Sequence, residues 1–103
     1  MSEYRADISP DAKQILLYWV NKCEEDHGPT LAVRLLDAFE EAIGLLEENP
    51  MIGTGNIKDI PNKYRATLLW KHLWLIYQIN FDKRVVTIDY IIDERQSYGR
   101  LFE

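Results

Sequence analysis

Few side chains in this sequence could do chemistry, and most of them fall after residue 60. Arg65 sits in "KYRATLLW", His72 in "KHLW", Arg95 in "IIDERQSY", and Tyr98 follows three residues later. An arginine keeps its charge at any physiological pH, and its planar fork suits phosphate or carboxylate. His72 is one of two histidines, and its ordinary pKa suits acid–base work near neutrality. Its place after Lys71 in a turn reads most simply as a solvated ring. Tyr98 offers a phenol as an acid or as a stacking surface for a base, although packing is the commoner use. Arg95 is preceded by Asp93 and Glu94, which either orient it or mute it. Arg65 has an equally plain use, pairing with a carboxylate on a neighbouring strand. His27 and His72 do not stand at ligand spacing from each other or from Cys23, so neither a metal site nor another cofactor is expected.

The elements that must position these residues follow from the change of period along the chain. "EYRADIS" alternates Tyr4, Ala6 and Ile8 with Glu3, Arg5 and Asp7, which predicts an amphipathic strand. "SPDA" starts a helix, with Ser9 as N-cap, Pro10 at the first turn and Asp11 beside the positive end of the dipole. Ala12, Ile15, Leu16, Trp19 and Cys23 then recur at helical spacing until "EEDHGP". Thr30 is expected to cap a second helix with Leu31, Leu35, Ala38, Phe39, Ala42, Ile43 and Leu46 on its apolar face. Asn49-Pro50 ends it. "MIGTGNIKDIPN" reads as a loop. Three strands follow, "KYRATLLW", "LWLIYQINF" and "RVVTIDYII", separated only by "KH" and "DK".

A chain of 103 residues in the order strand, helix, helix and three strands makes one α+β domain, residues 1–103. The expected architecture is a helical hairpin packed on one face of a four-stranded antiparallel sheet, with the other face open. No apolar run approaches the roughly 18 residues that span a bilayer, and the N-terminus carries no signal pattern. The single Cys23 allows no internal disulfide and reads as a small buried hydrophobe. A cytoplasmic location follows as the expectation. The net charge of −5 divides unevenly. Residues 1–60 carry 12 acids and 5 bases, and residues 61–103 carry 5 acids and 7 bases. A polyanion would therefore have to use the C-terminal part.

Strand alternation assigns faces. Leu73, Leu75, Tyr77 and Ile79 should meet the helices, leaving Trp74, Ile76 and Gln78 on the open side. The same logic puts Arg65, Thr67 and Leu69, and Thr87, Asp89 and Ile91, on that open face. A large apolar pair such as Trp74 and Ile76 on an open face marks a contact site, unless "SYGRLFE" folds back over Trp74.

This order of elements resembles the RelE/ParE family of toxins from bacterial type II toxin–antitoxin systems. "ISPDAKQILL" looks like the family's first helix start, and "AFEEAIGLLEENPMIG" like the end of its second helix and the following loop. "YRATLL", "HLWLIYQI" and "VVTIDYIIDERQSY" look like its last three strands and basic tail. The resemblance covers nearly the whole chain. It implies one of two activities, inhibition of DNA gyrase in the ParE manner or metal-independent cleavage of messenger RNA on the ribosome in the RelE manner. It also implies a cognate antitoxin as partner, with a homodimer left open. RNA cleavage needs a base, an acid and cations for the developing phosphate charge. Arg65 and Arg95 match basic positions of RelE-like nucleases, with His72 and Tyr98 as the remaining candidates. Thr67 and Trp74, however, stand where such nucleases commonly have further cations, and Asp93 stands where many relatives have a histidine. The expectation is therefore action by protein contact, through Trp74, Ile76 and Gln78 with Arg65 and Arg95 at the rim. The alternatives are the nuclease and an inactive member kept as an antitoxin-binding module.

Overall fold

Ser9 begins the first helix as its spacing predicts: its Oγ accepts the Ala12 N–H at 3.1 Å, with Pro10 and Asp11 in the first turn. The computed structural model describes residues 3–96. Strand β1 covers Arg5–Ile8, helix α1 Pro10–His27 and helix α2 Pro29–Glu48. A 3-10 turn, Pro50–Ile52, leads through a loop to β2 (Arg65–Trp70), β3 (Leu73–Asn80) and β4 (Val85–Asp93). One residue, Gly28, joins the helices. Its N–H donates to the Glu24 carbonyl at 2.8 Å, and its φ of 89° is a conformation that glycine adopts without penalty. Gly28 is therefore the cap of α2, and Thr30 lies inside that helix rather than capping it.

Both helices lay an apolar stripe on one face of the sheet. Ala12, Leu16 and Cys23 come from α1, and Leu35, Ala42 and Leu46 from α2. They meet Leu73, Leu75 and Tyr77 of β3 and Val86, Ile88 and Ile91 of β4. Leu75, Tyr77, Val86 and Ile88 are fully buried. Each such side chain contributes about 1.5–3 kcal/mol relative to exposure.

The strand order is β1-β4-β3-β2. Strand β3 is antiparallel to both neighbours, but β1 runs parallel to β4, from Arg5 opposite Val85 to Ile8 opposite Ile88. The sheet is mixed, not antiparallel as expected. A period of two is the same in either direction, so an alternating strand carries no record of its orientation. The chain between β1 and β4, two helices and two strands, is long enough to permit either.

The far face of the sheet is not open along its length either. The loop after the 3-10 turn folds over it, and Ile60 and Tyr64 join Ala66, Ile76 and Ile92 in a second small core, flanked by Ile57, Trp74 and Tyr90. An isolated bridge between Thr54 and Ala66 ties this loop to β2, with both N–H···O bonds at 2.9 Å.

Candidate functional site

The second core changes which residues can act. Ile76 is fully buried beneath the loop, so it is not half of an exposed contact patch. Trp74 stays half-buried at the loop's edge, and Gln78, also on this face, donates to Asp89 Oδ2 at 2.7 Å. Strand alternation assigned the face of Ile76 rightly; what it could not see is the cover. Ile57 and Ile60 in a segment read as loop are the signal, because both pack into the second core.

Arg65 stands opposite Tyr77, whose ring belongs to the helix-side core, so Ala66, opposite Ile76, takes the far face instead. The Arg65 guanidinium donates through Nη2 to the carbonyls of Met51, at 3.3 Å, and Gly53, while its Nε is buried without a partner. Arg65 fastens the 3-10 turn to the sheet. Leu69 likewise packs in the helix-side core. The parity error has a physical source. A register shift between Leu68 and Trp70 lets both Leu69 and Trp70 pack towards the helices, which blurs the alternation. Arg65→Ala is expected to lower stability by about 1–2 kcal/mol, the scale of losing hydrogen bonds from a charged group. Urea unfolding followed by circular dichroism checks it; an unchanged midpoint would refute the fastening role.

A second shift lies in β4. Ile76 pairs with Tyr90 and Tyr77 with Ile88, which leaves Asp89 unopposed as a bulge. Past the bulge every side chain changes face. Ile91 therefore points to the helices, against expectation, and Ile92 to the far side. Asp93 pairs with Leu73 and is 4% exposed.

What the sheet does bring together is a charged corner where the β2–β3 turn meets the end of β4. Glu94 is its hub. Its Oε1 lies 3.0 Å from His72 Nδ1, its Oε2 accepts the Trp74 indole N–H at 2.9 Å, and its backbone N–H donates to the His72 carbonyl at 2.9 Å. Asp93 takes Arg95 from three directions: the backbone N–H at 2.9 Å, Nε at 3.1 Å and Nη2 at 2.8 Å. The hydrogen bonds from Arg95 hold the Asp93 carboxyl below its ordinary range, against the opposing effect of burial. Those from His72 and Trp74 do the same for Glu94. The Arg95 guanidinium is correspondingly raised by its bond to Asp93.

Chemically, the corner offers no uncommitted cation from the predicted set. Arg65 is turned to the helix side, Arg95 is bonded to a buried carboxylate, and His72 faces Glu94. Tyr98 lies outside the described residues. Tyr64 and Tyr90 meet edge-on at 6.1 Å on the far face. Burial above all, with Asp89 adding to it, raises both phenols, which makes them poorer acids near neutrality. Among the described residues no group of three His, Cys, Asp or Glu could hold a metal ion, and no helix is long and apolar enough to cross a membrane. Beside the corner, Trp74 and Glu94 border a shallow groove of about 190 Å3, with a floor of Ile76, Ile92 and Ala66 and a wall of Ile57 and Ile60.

Residues 6–98 match the profile of the family described as the ParE toxin of the type II toxin–antitoxin system parDE. No curated protein sequence matches significantly. The fold is similar to that in the chromosomal ParDE toxin–antitoxin system of P. aeruginosa, with a TM-score of 0.72 and 15% identity, covering 87% of this chain and 95% of that one. It is also similar to the RelBE2 toxin–antitoxin complex of Mycobacterium tuberculosis, with a TM-score of 0.60, 16% identity and coverage of 87% and 96%. The archaeal RelE–RelB complex of Pyrococcus horikoshii gives 0.59 and 18%, with coverage of 94% and 100%. At these identities the structural likeness is one of fold.

Proposed function

Because this chain belongs to the ParE toxin family of type II toxin–antitoxin systems, we propose that it acts by protein contact, inhibiting DNA gyrase in the ParE manner, and that it cuts no RNA. One observation carries this reading: both arginines that RNA cleavage would need are committed to the fold. A cleaving site must aim donors at the phosphate as its charge develops, and one missing donor typically costs about 10²–10³ in rate. Arg65 would have to leave two carbonyls of the 3-10 turn, and Arg95 a carboxylate that is almost wholly buried. A contact surface asks less. The groove beside Trp74 offers an apolar floor and an aromatic edge, as at the centre of protein interfaces, with a carboxylate at its polar rim. We assign that groove to partner binding, with the cognate antitoxin covering it in the neutralised complex.

Two assays on the purified chain test the reading together. Gyrase-driven supercoiling should fall with increasing toxin, while messenger RNA on translating ribosomes stays intact. Codon-positioned cuts that vanish in Arg95→Ala would reverse the conclusion. Trp74→Ala should weaken supercoiling inhibition about tenfold or more, as expected for an interface tryptophan. Its circular dichroism should match the parent's, and an unfolded variant would show that Trp74 serves the second core alone.

A further inference from the structure

A larger cleft, of about 500 Å3, opens at the same end of the molecule but on the helix side of the sheet, between the second half of α1, the β2–β3 turn and the residues after β4. Its floor is apolar, with Leu35, Leu73 and the Cys23 side chain. Its walls are Trp19 and Trp70, and Tyr18, 58% exposed, stands at the rim. Three fixed cations line it, Lys22, Lys71 and Arg95, against two carboxylates, Asp26 and Asp93; both histidines line it too. With Arg95 bonded to Asp93, the lining keeps one more fixed positive charge than negative, in a chain of net charge −5. The two lysines are the cations whose side chains can move to meet a ligand. Lys22 makes only a loose 3.7 Å contact with Asp26, both about half exposed, and the Lys71 ammonium lies over the Trp70 ring at 4.6 Å from its centroid.

The aromatic geometry narrows the ligand. A nucleic-acid base binds by stacking on an uncovered ring face. Here Tyr18 meets Trp19 edge-on at 5.2 Å, and Lys71 occupies a face of Trp70. Each of these contacts takes up one ring face, and the walls stand over an aliphatic floor that suits a branched or aromatic side chain better than a flat base. The lysine ammoniums flanking it can swing to meet carboxylates, which also have the complementary charge.

We propose that this cleft is a second docking site, which binds an acidic segment of a partner protein by inserting a bulky apolar side chain between Trp19 and Trp70 while Lys22 and Lys71 take its carboxylates. The site is separate from the groove at Trp74 and does not depend on which target the toxin inhibits. It would let one partner grip both sides of the sheet's end at once, or two partners bind together.

Cys23, the chain's only cysteine, gives a local readout, because its alkylation reports on the cleft floor. The full chain is titrated with a synthetic peptide presenting glutamates beside a leucine and a phenylalanine, with a glutamine-for-glutamate and an alanine-for-apolar version as controls. The acidic apolar peptide should slow Cys23 alkylation and change tryptophan fluorescence, and both controls should bind about tenfold more weakly or worse. Lys22→Glu and Lys71→Glu, both at exposed positions, should abolish protection while leaving thermal unfolding unchanged. Should either variant unfold, Lys22→Gln and Lys71→Gln serve instead and must still weaken binding. Equal protection by the neutral peptide would overturn the proposal. Protection by adenosine monophosphate or inorganic phosphate without protection by the peptide would overturn it as well. So would protection that grows with chain concentration alone, which would mean that a second copy fills the cleft. None of these outcomes bears on the supercoiling assay.

Discussion

Gly53→Ala should lower the unfolding temperature by about 15 °C, a loss of about 3 kcal/mol, although it adds one methyl group at a loop position. The backbone there is extended and open to any residue, with φ at −80°, so the demand for glycine is one of space. A Cβ at residue 53 would collide with the Tyr77 hydroxyl and lie 2.6 Å from the Ala66 carbonyl oxygen. Neither neighbour can give way. Tyr77 is fully buried, donates its hydroxyl to the Pro50 carbonyl at 2.7 Å and accepts the Gly53 N–H at 3.1 Å. The Ala66 carbonyl accepts the Thr54 N–H in the bridge that holds the loop. The methyl group would therefore undo the attachment of the loop that covers Ile76 and Ala66. Differential scanning calorimetry tests this, and a shift below about 3 °C would mean that the loop is not held there.

Asp93→Ala should be nearly as costly, about 2 kcal/mol, because one almost buried carboxylate satisfies three donors of Arg95. The figure stays modest because the Arg95 side chain is 63% exposed and recovers water once released. The pH dependence has a definite sign. Asp93 and Glu94 are both held below the usual carboxylate range in the folded chain. The stability they contribute is therefore fully present above about pH 4–5, the ordinary range for carboxyls, and is lost as the pH falls through their lower folded values. Unfolding midpoints should stay level from pH 7 to pH 5 and decline below about pH 4. Asp93→Asn should start lower and decline less steeply. A variant whose acid limb runs parallel to the parent's would show that Asp93 does not carry this dependence.

Elements governed by neighbouring residues were legible in the sequence. Ser9 and Pro10 announce the start of α1, and the three C-terminal strands lie where β-branched and aromatic residues alternate between turns. Facing was legible only up to the first irregularity. For β3, alternation placed Leu73, Leu75 and Tyr77 against the helices, as found. For β4 it held through Ile88 and failed after Asp89, because one unopposed residue inverts everything beyond it and leaves no mark in composition. Arg65 was misplaced because a half-exposed edge strand with a register shift has no clean period. The charged corner was half legible. Asp93, Glu94 and Arg95 are contiguous, so their mutual pairing could be anticipated, whereas the link from Glu94 to His72 and Trp74 joins positions 22 and 20 residues apart. Such a link depends on strand register, which is decided by packing.

The parallel seat of β1 against β4 sets an order in time. Arg5 and its partner Val85 are 80 residues apart, about 4–16 seconds of synthesis at typical rates. Throughout that interval the first strand has nothing to pair with, and β3, once made, exposes one of its two hydrogen-bonding edges until β4 follows. When β4 emerges it joins both strands at once, in the middle of the sheet, and then closes the corner that holds His72, Trp74 and Arg95. An incomplete chain therefore lacks the sheet's central joint as well as its charged corner. The sheet's central joint and its charged corner are completed together, once β4 has been made.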